Sequence, residues 1–166
     1  MTGAIVVMGV SGSGKSTLGK ALAQRLGWRF LEGDSLHPPG NIAKMAAGIA
    51  LNDTDRQPFL ESVGAACAAG ARTGGIVVSC SALKRRYRDL IRSWAPQVVF
   101  VLPVLTPEQL ADRMAQRHDH FMPASLLQSQ LATLELPEPD EGVVLVTGTD
   151  PTPVQLERVI AALPRL

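Results

Sequence analysis

Neither sign of charge dominates this chain of 166 residues, in which 16 Lys and Arg stand against 15 Asp and Glu. Nonspecific binding of nucleic acid or of an acidic membrane needs a basic field, so any anion site must be local. Cysteine is nearly absent. Cys67 and Cys80 lack the close spacing of a metal knuckle, and a chain of this length and apolar content can build a core without a disulfide staple, which favours a reducing cytosol. No apolar run approaches the roughly 20 residues of a membrane span, and no basic leader opens the chain. The expectation is a cytoplasmic protein of one domain, residues 1–166, with neither a membrane nor a nucleic-acid partner. Aromatics are also few, two Trp, one Tyr and four Phe, so a pocket that stacks on a nucleobase has little to draw on.

What the chain does have is alternation. The apolar runs Ala4–Met8, Gly75–Cys80, Gln97–Leu102 and Gly142–Val146 are short, rich in Val and Ile, and suit strands buried on both faces; Trp28–Leu31 is a weaker fifth. Helix-like segments lie between them, at Lys15–Leu26, Pro58–Ala71, Leu83–Trp94, Pro107–Arg117, Ala124–Leu134 and Pro153–Leu163. Several open at a proline, and the first closes at Gly27. This pattern predicts an α/β fold with a parallel sheet, right-handed crossovers and ligand sites beyond the C-terminal strand ends. Glu32–Arg56 and the stretch from Arg117 to Pro123 read as long polar connections, which in compact domains usually carry function.

The segment Gly9, Val10, Ser11, Gly12, Ser13, Gly14, Lys15, Ser16 fits G-x-x-x-x-G-K-[ST], with Thr17 continuing into the helix and an apolar strand in front. Glycines let backbone amides turn toward phosphate oxygens, and the helix N-terminus adds partial positive charge. Lys15 is placed to reach the β and γ phosphates and the Ser16 hydroxyl to ligate magnesium, so ATP and Mg2+ are the expected cofactors. A GTPase of this size would carry N-K-x-D to read guanine; the chain has none. The aspartate that often ends a buried strand and helps hold magnesium is missing too, since Ser79-Cys80-Ser81 follows the third strand.

Phosphoryl transfer to a small acceptor further requires an orienting carboxylate, an acceptor pocket and lid cations. Asp34, just past the second strand in Glu32-Gly33-Asp34-Ser35-Leu36-His37-Pro38, can accept a hydroxyl proton; the same residues also make good turn chemistry. His37 lies in that loop, either as a contact or as an ordinary loop histidine. Lys44 and Arg56 are the only cations between Arg29 and Arg72, candidates to pin an anionic acceptor or to remain surface charges, with a salt bridge to Asp53 or Asp55 as a further alternative for Arg56. Lys84 and Arg88 fall one helical turn apart on one face that could serve the site. Arg113 and Arg117, also one turn apart, read as lid cations for the transferring phosphoryl group or as a surface helix paired with Asp112.

Taken together, the ordered blocks VVMGVSGSGKST, EGDSLHPPGNIAKMAAGIALNDTDRQPFL, SCSALKRRYRDLIR and HFMPASLLQSQLATLELP resemble those of the gluconokinase family, small P-loop kinases akin to shikimate and adenylate kinases. The blocks run from Val6 to about Pro137. The resemblance implies transfer of the ATP γ-phosphate to the 6-hydroxyl of D-gluconate, a three-layer P-loop NTPase fold with a five-stranded parallel sheet, a lid around 113–123, an acceptor region around 34–60, and a homodimer. It also implies roles: Lys15, Asp34 and Arg117 in catalysis; Arg113 and Arg117 on the nucleotide; His37, Lys44, Arg56 and Lys84 around the acceptor. Arg88, on the face shared with Lys84, is counted with them, as are His120 and Gln130 of the last block, which could alternatively support the lid. Ala50-Leu51, Pro58-Phe59 and Leu131 depart from the family's usual residues by apolar exchange. Asp119 replaces a glycine before His-Phe-Met, which bears on lid geometry.

Two other readings stay open at this point. One is a P-loop kinase of another small acceptor; against shikimate stands Ser-Cys-Ser in place of a glycine-rich turn, and against a nucleoside monophosphate stands the shortage of aromatics. The other is a nucleotide-binding regulator without turnover, against which stand intact Lys15, Ser16, Asp34 and the two lid arginines, Arg113 and Arg117.

Overall fold

The computed structural model describes residues 2–116 and 125–164. Five parallel strands, β1 (Ala4–Val7), β2 (Arg29–Glu32), β3 (Ile76–Ser79), β4 (Val99–Val104) and β5 (Val144–Thr147), form one sheet in the order β2-β3-β1-β4-β5. The helices are α1 (Lys15–Leu26), α2 (Pro39–Ala46), α3 (Asp53–Arg72), α4 (Arg85–Trp94), α5 (Pro107–Ala115), α6 (Ser125–Thr133) and α7 (Thr152–Ala162).

Strand side chains alternate between two separate cores, as a sheet covered on both faces requires. Ala4, Val6 and Met8 point to one side, where Phe59, Val63 and Cys67 of α3 and Tyr87 and Ile91 of α4 pack against Ile76, Val78 and Phe100. Ile5 and Val7 point to the other, against Leu18 and Leu22 of α1 and Val159 of α7. The continuous apolar reading of the central strands thus comes from burial on both faces. β2, at the sheet edge, is only half buried, which is why its signal in the sequence is weaker.

Two elements differ from the sequence expectation. α3 begins at Asp53, five residues before Pro58, because Asn52 and Asp55 form a capping box in which each side chain accepts from the other's backbone N–H. Within the stretch read as a connection lies α2, opened by Pro39; it is eight residues long and buries only Asn41 and Met45, too few for a periodic pattern.

Arg88 departs from its expected place at the acceptor. Its side chain is fully buried and does not line the acceptor cavity. Nε and Nη2 donate to the Glu141 carboxylate at 2.8 and 2.9 Å, Nη1 to the carbonyls of Ala82 and Leu83 at 3.0 and 3.2 Å, and Nη2 also to the Glu135 carbonyl at 3.1 Å. The helical face shared with Lys84 turns inward at Arg88, which ties the loop after β3 to the segment after α6. That loop needs support: buried Ala82 has φ of 43°, a left-handed conformation that costs a non-glycine residue on the order of 1 kcal/mol.

The hydrogen bonds of Arg88 hold the Glu141 carboxyl down at about 2, against 4.5 for a free side chain. A lowered folded-state pKa gives stability that is present above the unfolded value and drains away as the carboxylate is protonated. Urea midpoints should therefore fall as pH drops from about 4.5 toward 2. Glu141→Gln should flatten that slope while costing about 3–5 kcal/mol, because Arg88 is left buried without its counter-ion. A second constraint lies where β2 meets the site. A Cβ on Gly33 would stand 1.9 Å from the Ser79 carbonyl oxygen. Gly33→Ala should lower unfolding free energy by roughly 3 kcal/mol or more and, by displacing Asp34 next to it, reduce turnover as well.

Candidate active site

The loop from Gly9 to Gly14 leaves β1 and enters α1 at Lys15. Gly9, Gly12 and Gly14 have φ of 131°, 84° and 89°, which a side chain would resist, and Gly14 as N-cap offers no side-chain acceptor to the first amides of α1. Those amides form an anion cradle with the helix dipole behind them. Lys15 Nζ donates to the Val10 carbonyl at 3.1 Å, folded across its own loop. Ser13 Oγ is buried without a hydrogen-bond partner among the described residues. Arg113 reaches the loop from α5, its Nη1 at 3.5 Å from the Gly12 carbonyl and its Nη2 at 2.8 Å from the Gly148 carbonyl, bridging the phosphate loop and the turn after β5.

Glu32, the last residue of β2, is a site residue that the sequence reading passed over. Its carboxylate accepts from the Ser16 hydroxyl and, at 3.1 Å, from Ser79 Oγ. The acidic group at a strand end that is missing from β3 is supplied by its neighbour β2, whose register sets Glu32 beside Ser79. A carboxylate at the C-terminal end of a strand was the signal that could have found it. Together the Ser16 hydroxyl and the Glu32 carboxylate are hard oxygen donors that suit magnesium.

Ser11, Lys15, Asp34, His37, Arg56 and Gln130 line one open cavity, with Met45, Leu51 and Leu83 as apolar wall and Ser81 and Ser129 beside them. Asp34 sits in the 3-10 turn Gly33–Leu36 that follows β2. His37 is buried and stacks on Phe59, ring centroids 3.6 Å apart and planes 14° from parallel. Burial lowers its pKa; Asp34 opposes that shift and Arg56 adds to it. Gln130 crosses from α6 to accept from the Ser11 amide at 2.6 Å, joining the acceptor wall to the phosphate loop.

The remaining cations expected at the acceptor stand behind this lining. Lys44 pairs with Asp55 at 2.9 Å, and Lys84 with Asp53 at 3.3 Å, neither of them lining the cavity. Arg56 lines it together with Lys15, and it is braced: Nη1 donates to Tyr87 Oη at 2.9 Å, the guanidinium lies 5.3 Å from the Tyr87 ring centre, and Tyr87 Oη donates to Asp53. Asp53 and Asp55 thus take Lys84, Arg86 and Lys44, leaving Arg56 to a phenol. Arg117 and His120 lie outside the described residues.

The sequence model of a family described as an AAA domain matches residues 5–137. A gluconokinase of Gluconobacter oxydans is 50% identical over 157 residues, covering 94% of this chain and 88% of that protein. Among solved structures, an unliganded sugar kinase from Janibacter is 46% identical with a TM-score of 0.92, over 97% of this chain and 94% of that one. A gluconokinase from Sinorhizobium meliloti is 49% identical with a TM-score of 0.87, over 97% and 91%. Likeness of this extent, in sequence and in backbone alike, shows that the chain belongs to the gluconokinase family.

Proposed function

We propose that the chain phosphorylates D-gluconate at its 6-hydroxyl with ATP, giving 6-phospho-D-gluconate and ADP. One observation carries the reading: the phosphate loop, through Ser11 and Lys15, opens into the same cavity as the Asp34 carboxylate, the His37 imidazole and the Arg56 guanidinium. That set suits an acceptor with a hydroxyl to activate, further hydroxyls to bond and a carboxylate to hold.

Residues 9–17 bind the triphosphate, with Lys15 as the point charge toward its β and γ groups. Asp34 orients the 6-hydroxyl and takes its proton as that oxygen bonds to the γ phosphorus and the bond to the β-bridging oxygen breaks, the electron pair leaving with ADP. Arg56 meets the carboxylate of gluconate, for which its planar fork is shaped. Arg113 lies along the nucleotide, and Arg117 and His120 belong to the lid around 113–123. Gln130 connects the acceptor to the loop. Ser16 and Glu32 would hold magnesium, which would supply positive charge to the phosphate oxygens.

Residues 34–60 form the acceptor side of a single kinase domain, and a cytoplasmic homodimer completes the reading. Family resemblance supports the dimer. The absence of any helix long and apolar enough to cross a membrane among the described residues is compatible with the location.

ADP release from Mg-ATP should be stimulated by D-gluconate and not by shikimate or nucleoside monophosphates, with 6-phosphogluconate as product; stimulation by another acceptor would keep the kinase and overturn the pocket. Lys15→Ala should abolish transfer in a folded protein. Asp34→Asn should lower kcat about 100-fold or more with little change in KM, whereas a rise in KM alone would make Asp34 a binding group. Tyr87→Phe removes the brace on Arg56, and KM for gluconate should rise about threefold to tenfold while KM for ATP stays put.

A further inference from the structure

Asn41 is buried in α2, and its carboxamide nitrogen has two neighbours, the Asp55 carbonyl oxygen at 2.7 Å and His37 Nδ1 at 3.2 Å. A carbonyl oxygen can only accept, so the atom facing it must be the NH2 end of the amide; the flipped amide would set two oxygens against each other. The carbonyl is itself held in place, because Asp55 stands in the capping box with Asn52 at the start of α3. One amide proton goes to Asp55, and the other points at Nδ1. Nδ1 must then offer its lone pair, and a neutral imidazole with a lone pair on Nδ1 carries its proton on Nε2. Nε2 has no hydrogen-bond partner among the described residues, the ring is locked by Phe59, and His37 lines the cavity beside Asp34 and Arg56. A second proton on Nδ1 would face the Asn41 amide protons and lie near Arg56, and burial disfavours it further.

We infer that Asn41 is a positioning residue that commits His37 to the Nε2–H tautomer, so that His37 meets the acceptor substrate as a hydrogen-bond donor to an oxygen lone pair. A nitrogen that already carries its proton cannot take another from the attacking hydroxyl. Of the two side chains with the chemistry of a base that line the cavity among the described residues, His37 is removed from that role and Asp34 keeps it. The part that concerns the substrate rests on the gluconokinase reading; the tautomer does not.

The chain has three histidines, so long-range 15N–1H correlation spectra of labelled protein are simple to assign, with His37→Gln identifying the signals of His37. In the wild-type chain without substrate, Nδ1 should show the shift of an unprotonated nitrogen and Nε2 that of a protonated one. The reverse pattern, or a doubly protonated ring at neutral pH, would overturn the inference without any variant. In Asn41→Asp the new carboxylate should draw the proton to Nδ1. At about pH 9, where that ring is neutral, the lone pair of Nε2 then faces the substrate, and KM for gluconate should rise about tenfold with kcat within about threefold of wild type. A switched tautomer with unchanged KM, whether or not kcat falls, would overturn the contact with substrate. If wild-type protein shows the expected tautomer and gluconate fails to stimulate ADP release, the kinase reading falls and the assignment of His37 stands.

Discussion

The site depends on the parallel pairing of β1 with β3. In that register Val7 faces Ser79, and the ladder continues past both strand ends, with the Cys80 amide donating to Val7 at 3.0 Å and the Gly9 amide to Ser81 at 3.1 Å. The phosphate loop and the loop carrying Ser81 and Leu83 are thereby laid side by side before any side chain takes part. The next pairing, β2 on β3, brings Glu32 to Ser79 and so to Ser16, and Gly33 passes so close to the Ser79 carbonyl that no side chain fits. Asp34 follows immediately. Backbone hydrogen bonds of the sheet therefore set the spacing between donor and acceptor halves, and helix packing on both faces keeps it.

Around this frame most of the charge works as scaffolding. Asp53 gathers Lys84, Arg86 and the Tyr87 hydroxyl; Asp55 takes Lys44 and, through its main chain, Asn41; Glu141 takes Arg88 and Arg92. Each network ends on a group that lines or backs the cavity: Arg56 through Tyr87, His37 through Asn41, the strained Ala82 turn through Arg88. A site held this way binds with its polar groups already oriented, so less ordering is needed when substrate arrives.

The strands and most helices were legible because they rest on short-range rules. Runs of Val and Ile buried on both faces mark β1 and β3, and α1 runs from Lys15 to Leu26 as its glycine stop implies. α2 escaped because eight residues with two buried leave no period to read, and the start of α3 was set by the Asn52–Asp55 box ahead of its proline. Of the residues lining the cavity, Lys15, Asp34, His37, Arg56 and Gln130 stood out in the sequence; Glu32, Tyr87 and Asn41, which stand behind it, did not. Tyr87 and Asn41 act through another residue, and nothing in their local sequence tells a brace from a core or surface residue.

The sequence alone determined the anion cradle and the α/β alternation, since glycine torsions, helix punctuation and apolar periodicity depend on neighbours along the chain. The tertiary structure decided which charges face the cavity. Arg56 and Arg88 are chemically equal and both follow helix starts; one is braced at the cavity wall by a phenol from α4, and the other is buried against Glu141, 53 residues away. Ion pairs are selected by distance and desolvation after the helices have packed, and that selection is non-local by nature.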